Sequence, residues 1–396
     1  DATLTISRLH LEGLELQLPP GDPSAPAAEP LALPEIELPL AVQIADVEIR
    51  SISIQPPDAE PILLDAVHLK ARTEAGAVTI EPLEIWAAQG ELHLSGRLNP
   101  TGSYPVSAQV VWQFLTPDYG VVIGQGTIQG ELHERLQLTQ SITGPATLEL
   151  SGEVRQPLDL KPAWSAQAKL DIADLKPLVA ELAGQPLTAS IDAQGVLAQF
   201  KSQGELTTGL PELGLTTAHF IAAGDEKSLK LEQLKVTAAH QPLALDLKGD
   251  LQFTELQFNA SGQWRSLVWP LTGPPQVESP TGDFTIQGGV KNYRFQLAAE
   301  LQGAEIPKGR WTLTGQGSDQ AVREVKLHGK TLDGVIQGNG EVAWLPVLRW
   351  QAALTGEDLN PGAQWREVPG KLNLRLKSDG SLDQKLRANV LLEDLS

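Results

Sequence analysis

The chain has 396 residues, 41% hydrophobic and 20% charged, with Cys 0 and a formal net charge of -19. That acidity excludes nucleic-acid binding, which needs clustered Lys and Arg on phosphates, and a basic patch for an anionic membrane face. Cys 0 excludes disulfides, thiolate metal centres and Cys nucleophiles, while Gly 36 and Pro 29 suit a chain of many turns.

Met is also 0, so position 1 is expected to be internal to a longer or processed chain. No run of 18 apolar residues is present, so no transmembrane helix is expected in this stretch, and a signal or anchor segment is expected upstream if one exists. Residues 1–40 read as a leading segment. Within it "PPGDPSAPAAEPLALPEIELP" (19–39) has no amphipathic period and reads as an irregular, partly extended loop.

From 41 to 396 the pattern is strand after strand, with apolar residues on alternate positions. "LHLSGRL" sets Leu92 and Leu94 on one face, and "VSAQVVWQF" sets Val106, Ala108, Val110, Trp112 and Phe114 there. "LELSGEV" adds Leu148 and Leu150. Only "DLKPLVAELAG" (174–184) has helical spacing, through Leu175, Leu178, Val179 and Leu182, so one or two short helices are the most expected. The strands then resume with Leu243, Leu245, Leu247, Leu251 and Phe253, followed by Leu256, Phe258 and Trp264. Phe284 and Ile286 follow, then Phe295 and Leu297, then Trp311 and Leu313. "LDGVIQGNGEVAW" places Leu332, Ile336, Val342 and Trp344 together, and "LRWQAAL" adds Leu348, Trp350 and Leu354. In "KLNLRLK" Leu372, Leu374 and Leu376 oppose Lys371, Arg375 and Lys377. The breaks are turn formers such as "NPTG", "TGPP" and "SDG".

A loose module recurs, apolar–x–apolar–x–Gly–x–apolar, with its Gly at 96, 152, 249, 288 and 340. The intervals are irregular, so this is no solenoid of fixed period. Glycine inside a strand marks a bulge, a bend or a close approach, and repeated bends in one sense would curl a sheet.

Reactive constellations are not found. The seven His (10, 68, 93, 133, 219, 240, 328) show no metal-ligand spacing, and His133 and Glu134 would point to opposite faces of a strand. "GQGTIQG" (124–130) is neither a P-loop nor a dinucleotide fingerprint, and no G-x-S-x-G elbow occurs. Acid pairs such as Asp46/Glu48 and Glu357/Asp358 read as turn and solvated-face charges. No enzyme, metal or cofactor is expected. Trp112, Trp264, Trp344 and Trp350 fit either an ordinary sandwich core or the wall of a groove, and the pattern alone favours the core.

Three architectures could cover so much one-sided apolar surface. Tandem sandwiches would show linkers and Cys-Trp-Cys landmarks, and a parallel β-helix would show coils of constant length. Neither is seen. An antiparallel meander curled into a half-pipe remains, and its open apolar trough calls for a ligand such as an acyl chain.

The order of "ASGQWRSLVWPLTG", "GDFTIQGGVKNYRFQL", "GAEIPKGRWTLTGQGSDQ", "VKLHGKTLDGVIQGNGEVAW" and "WQAALTGEDLNPGAQWREVPGKLNLRLKSDGSL" resembles the TamB family of the AsmA-like superfamily. Upstream, "LPEIELPLAVQI", "AAQGELHLSGRLNPTGSYPVSAQV" and "LELSGEV" extend the resemblance over nearly the whole chain. It implies an elongated all-β taco with a hydrophobic inner surface and a periplasmic place in a Gram-negative envelope. It also implies an inner-membrane helix and contact with an outer-membrane Omp85-class protein, both through regions absent here. Two roles are implied, phospholipid passage toward the outer membrane and assistance to outer-membrane protein or autotransporter assembly.

Overall fold

A computed structural model describes residues 3–18, 33–36, 41–57, 59–117, 120–179, 182–196, 198–210, 213–270, 275–383 and 385–394. The chain is all-β, with 73% of it in strands, and its 26 strands belong to an open sheet, antiparallel apart from the first three strands, that does not close into a barrel. It divides into two compact units, 1–202 and 203–396, each described by itself. The Pro/Ala-rich stretch 19–39 lies outside the described residues except for 33–36, whose Leu33 and Pro34 carbonyls accept from the Tyr104 hydroxyl (3.3 and 2.6 Å).

The first unit begins with β1 (Thr3–Ile6), β2 (Leu9–Glu12), β3 (Glu15–Gln17), β4 (Ala41–Gln55), β5 (Ile62–Glu74), β6 (Ala77–Ala87) and β7 (Gly90–Leu98). It continues with β8 (Pro105–Thr116), β9 (Gly120–Glu131), β10 (Arg135–Thr143), β11 (Ala146–Arg155), β12 (Ala163–Ile172) and β13 (Leu187–Val196). The unit boundary falls within β14 (Gln199–Leu210). The second unit holds β15 (Gly214–Asp225), β16 (Ser228–Ala238), β17 (Ala244–Gln252), β18 (Gln257–Trp269), β19 (Val277–Gly289) and β20 (Asn292–Leu301). It ends with β21 (Gly309–Gly317), β22 (Ala321–Thr331), β23 (Gly334–Ala343), β24 (Leu348–Leu359), β25 (Leu372–Asp383) and β26 (Lys385–Asp394).

From β4 to β13, and from β15 to β26, consecutive strands are paired antiparallel. The first three strands differ. They run parallel to β4, with Leu4 opposite Val42, Leu9 opposite Val47 and Leu16 opposite Ile54. Parallel pairing needs a crossover of a dozen or more residues, and 18–40 supplies the length.

β4 does not alternate strictly. Its apolar residues fall at 42, 44, 47, 49, 52 and 54. A register shift between Ile44 and Val47 adds one residue to β4 while Ala71 and Leu69 opposite stay two apart, so the same face is kept across the bulge. Ser51, at φ 54, marks the second break.

The 174–184 stretch forms hydrogen-bonded turns, not an α-helix, among the described residues. Leu178 and Val179 N–H both donate to the Leu175 carbonyl, and no run of i→i−4 bonds follows. Pro177 removes one donor, and Asp174 accepts from the Lys176 and Gly184 N–H groups, closing a loop. Leu175 is buried while Leu178 and Val179 are exposed, so the expected apolar stripe does not act as one. Pro361–Ala363 forms a 3-10 turn.

Candidate functional site

Directly paired residues share a face of an antiparallel sheet. In the first unit Leu92 faces Trp112 and Leu94 faces Val110. Leu148 and Leu150 face Leu170 and Ala168. In the second unit Leu245 lies opposite Trp264, Phe284 opposite Leu297, Ile286 opposite Phe295, and Leu297 opposite Leu313. Leu247 and Phe284 flank Gly262, and Leu251 faces Phe258. Trp311 faces Ala299 and Gly329, and Gly329 in turn faces Ile336. Val342 faces Trp350, Leu354 faces Leu376, Leu374 faces Gly356, and Leu372 faces Leu359. Trp344 lies one residue past β23, its indole N–H donating to the Asp319 carbonyl at 2.9 Å.

Glycines stand opposite several of these aromatic rings. A Cβ at Gly124, Gly282 or Gly329 would fall inside the indole of Trp112, Trp264 or Trp311, so each ring lies flat over its cross-strand glycine. The module glycines serve a different contact. At Gly96, Gly249 and Gly340 a Cβ would stand 2.7 Å from the carbonyl oxygen of the next strand, a close backbone approach on the apolar face. The recurring Gly module in the sequence was the signal for the second contact only.

This face is lined but not covered. Of the large side chains on it Trp264, Ile336 and Leu359 are buried, and most of the others are half-buried. A sandwich core would bury these residues.

In the second unit the two margins of the face differ. At one, the loops 302–308, 332–333 and 360–371 are tied together. Gln364 Nε2 donates to the Gly303 and Ile306 carbonyls (3.1 Å each), its Oε1 accepts from Lys308 N–H (2.7 Å), and Trp365 Nε1 donates to Ala304 (3.1 Å). Asn360 N–H donates to Leu332 and Thr331 Oγ1 to Lys308. Beneath them Leu359 and Ile336 are buried. At the opposite margin the turn residues 344–347 and their neighbours leave Val342, Trp344, Leu345, Leu348 and Leu382 exposed.

Indole N–H groups on the apolar face mostly find acceptors. Trp264 donates to Ser279 Oγ (2.9 Å) and Trp350 to Ser378 Oγ (3.1 Å). Trp311 Nε1 is buried with no acceptor among the described residues.

The opposite face is polar. In the first unit the register brings together histidines that are far apart in sequence. His68 Nε2 lies 2.8 Å from Asp46 Oδ1 and its Nδ1 3.1 Å from Glu84 Oε2, while His93 Nδ1 lies 3.3 Å from Glu84 Oε1. His10 meets Glu48 at 3.2 Å, and Arg8 and Arg50 hold Asp46 and Glu48. Glu84 first and Asp46 second raise the His68 pKa, and the same bonds lower those of the two carboxylates. Glu84 and His93 are symmetric about the turn at 88–89, whereas His68 meets Glu84 because a register shift between Leu69 and Ala71 moves the β5–β6 pairing by one residue. Among the described residues no group of His, Asp or Glu is placed to hold a metal ion. His133 sits at a turn, its ring edge-on to Tyr104 at 5.1 Å.

Each unit thus presents an open sheet, apolar on one face and charged on the other. The family model described as TamB, N-terminal domain, matches residues 1–241 and again 237–395. The chain belongs to the TamB family, transport and assembly components of the cell envelope. No solved structure matches it. Among the described residues no helix is long and apolar enough to cross a membrane.

Proposed function

We propose that the apolar face is a bed for phospholipid acyl chains, and that the chain forms part of a periplasmic conduit between inner and outer membranes. The observation that carries this reading is the half-buried row itself: large apolar side chains on one face with no protein layer over them. Each CH₂ moved from water onto such a face is worth about 0.8 kcal/mol, so an acyl chain gains ~10 kcal/mol against water but little against a bilayer. That near balance lets cargo move on. An inner-membrane anchor and an Omp85-class partner, both in regions outside this chain, complete the reading.

A scaffold for nascent outer-membrane strands is the alternative. It is favoured by β1–β3, which pair with β4 on one side and carry exposed Leu4, Leu9, Leu11 and Leu16.

The test uses Leu354. A photoreactive probe there is expected to crosslink phospholipid. Leu354→Asp, on an uncovered face, is expected to lose only about 1–3 kcal/mol of stability while abolishing lipid transfer. Wild-type lipid passage in the folded variant would overturn the conduit reading, and crosslinks from 354 to nascent strands instead would favour the scaffold.

A further inference from the structure

At the open margin of the second unit a cavity of about 730 Å³ adjoins the exposed apolar lip. It is lined by Arg323, Arg349, Glu341 and Asp379 on the polar face, and is bordered by Val342 and Trp350, which the register sets on the apolar face. Small neighbours make the room: Arg349 is paired with Ala343 on one strand and Ser381 on the other, and Ala343 with Ala321. Neither guanidinium has an ion-pair partner among the described residues, nor has Glu341. Asp379 accepts from Asn389 Nδ2 at 2.9 Å through Oδ2, leaving Oδ1 free of that contact. Two cations and two acceptors thus share one cavity.

We propose that this cavity is a headgroup site for an amine-bearing phospholipid, which straddles the margin with its acyl chains over the lip and its headgroup in the cavity. The proposal rests on the conduit reading. A guanidinium matches a phosphodiester by paired N–H donors, and two guanidiniums outbid one charge's worth of water. Glu341 and Asp379 accept from the ammonium group, which has three donors and no acceptor. The lip residues, Val342 opposite Trp350 and Leu348 opposite Leu382, receive the first carbons of the chains. The tied loops of the other margin leave no such opening, so the lipid is loaded and released at the 344–347 side.

The test incubates the chain with vesicles of phosphatidylethanolamine, phosphatidylglycerol and diacylglycerol and counts the lipids it retains. Wild type is expected to favour phosphatidylethanolamine. Arg323→Gln with Arg349→Gln is expected to lower retention of both phospholipids about a hundredfold and leave diacylglycerol unchanged, since each lost charge-assisted contact of ~1.4 kcal/mol is a factor of ten. Glu341→Gln with Asp379→Asn is expected to shift preference toward phosphatidylglycerol. All variants are compared at equal strand content by circular dichroism. Unchanged phospholipid retention in the Arg variant overturns the headgroup site while leaving the conduit reading standing. Failure of wild type to retain even diacylglycerol removes the conduit reading, and this proposal with it. Inorganic phosphate or glycerophosphoethanolamine competing as well as intact lipid overturns the proposal in favour of a free-anion site.

Discussion

A single glycine shows how tightly the apolar face is specified. At Gly96 a methyl group would meet the Ser107 carbonyl oxygen at 2.7 Å and the Ala108 side chain at 2.9 Å. Neither neighbour can retreat, because both are held in the β7–β8 ladder. Gly96→Ala is therefore expected to destabilise by about 1–3 kcal/mol, as overpacking does. The comparison is Gly102, at φ 66 with open space around it, where Ala is strained by backbone conformation and not by contact. Denaturant midpoints check it: Gly96→Ala unfolding at the wild-type midpoint would show that the strands can part there at no cost. Trp264 and Gly282 make the complementary pair, large over absent, which no single-position reading of apolar alternation contains.

Strands β4 to β7 carry the pH dependence. His68 has two ring nitrogens, each against a carboxylate oxygen that can only accept, so both must carry hydrogen and the ring is held as imidazolium. Lys70 opposes this, and Glu84 and Asp46 outweigh it. The folded-state pKa lies above the ordinary histidine value of 6.5, so this stabilisation is complete below about 6.5 and is lost as pH rises through the higher folded value. Asp46 and Glu84 run the other way, below 3.8 and 4.5, and their contribution is lost as pH falls through those lowered values. The β4–β7 segment should be most stable between about 4.5 and 6.5. Hydrogen exchange in β5 should quicken from pH 6 to 8 beyond its intrinsic rise, and His68→Gln should flatten that excess; an equal excess in the variant would place its source elsewhere. This element also shows what a sequence can tell. Leu92, Leu94, Val110 and Trp112 were legible as one face because alternation is a local property. The His68–Glu84–His93 contacts were not, because they depend on register, which two turns and the β5–β6 register shift decide. Likewise β4's bulge hides in "AVQIADVEIRSISIQ" as spacing that alternation alone reads as noise. The parallel pairing of β1–β3 leaves no local trace.

Across the whole chain, the uncovered face has a calorimetric signature. Heat-capacity change on unfolding follows the apolar surface newly exposed, about 12–15 cal/mol/K per residue in globular proteins. Here much of that surface already meets water in the native state. Differential scanning calorimetry should give a value below that range, and addition of lipid should raise it as the face is covered. A value within the range for the lipid-free chain would mean that the face is shielded after all.

The order of pairing has a consequence in time. From β4 onward each strand described finds its partner in the next stretch of chain, so a polypeptide arriving N-terminus first can be laid down hairpin by hairpin, each new edge serving as template for what emerges behind it. The exception is the beginning: Leu4 must wait for Val42, and Leu16 for Ile54, thirty-eight residues later in both cases. During that interval Leu4, Leu9 and Leu16 have no ladder, and a chaperone that guards emerging chains would find them unpaired.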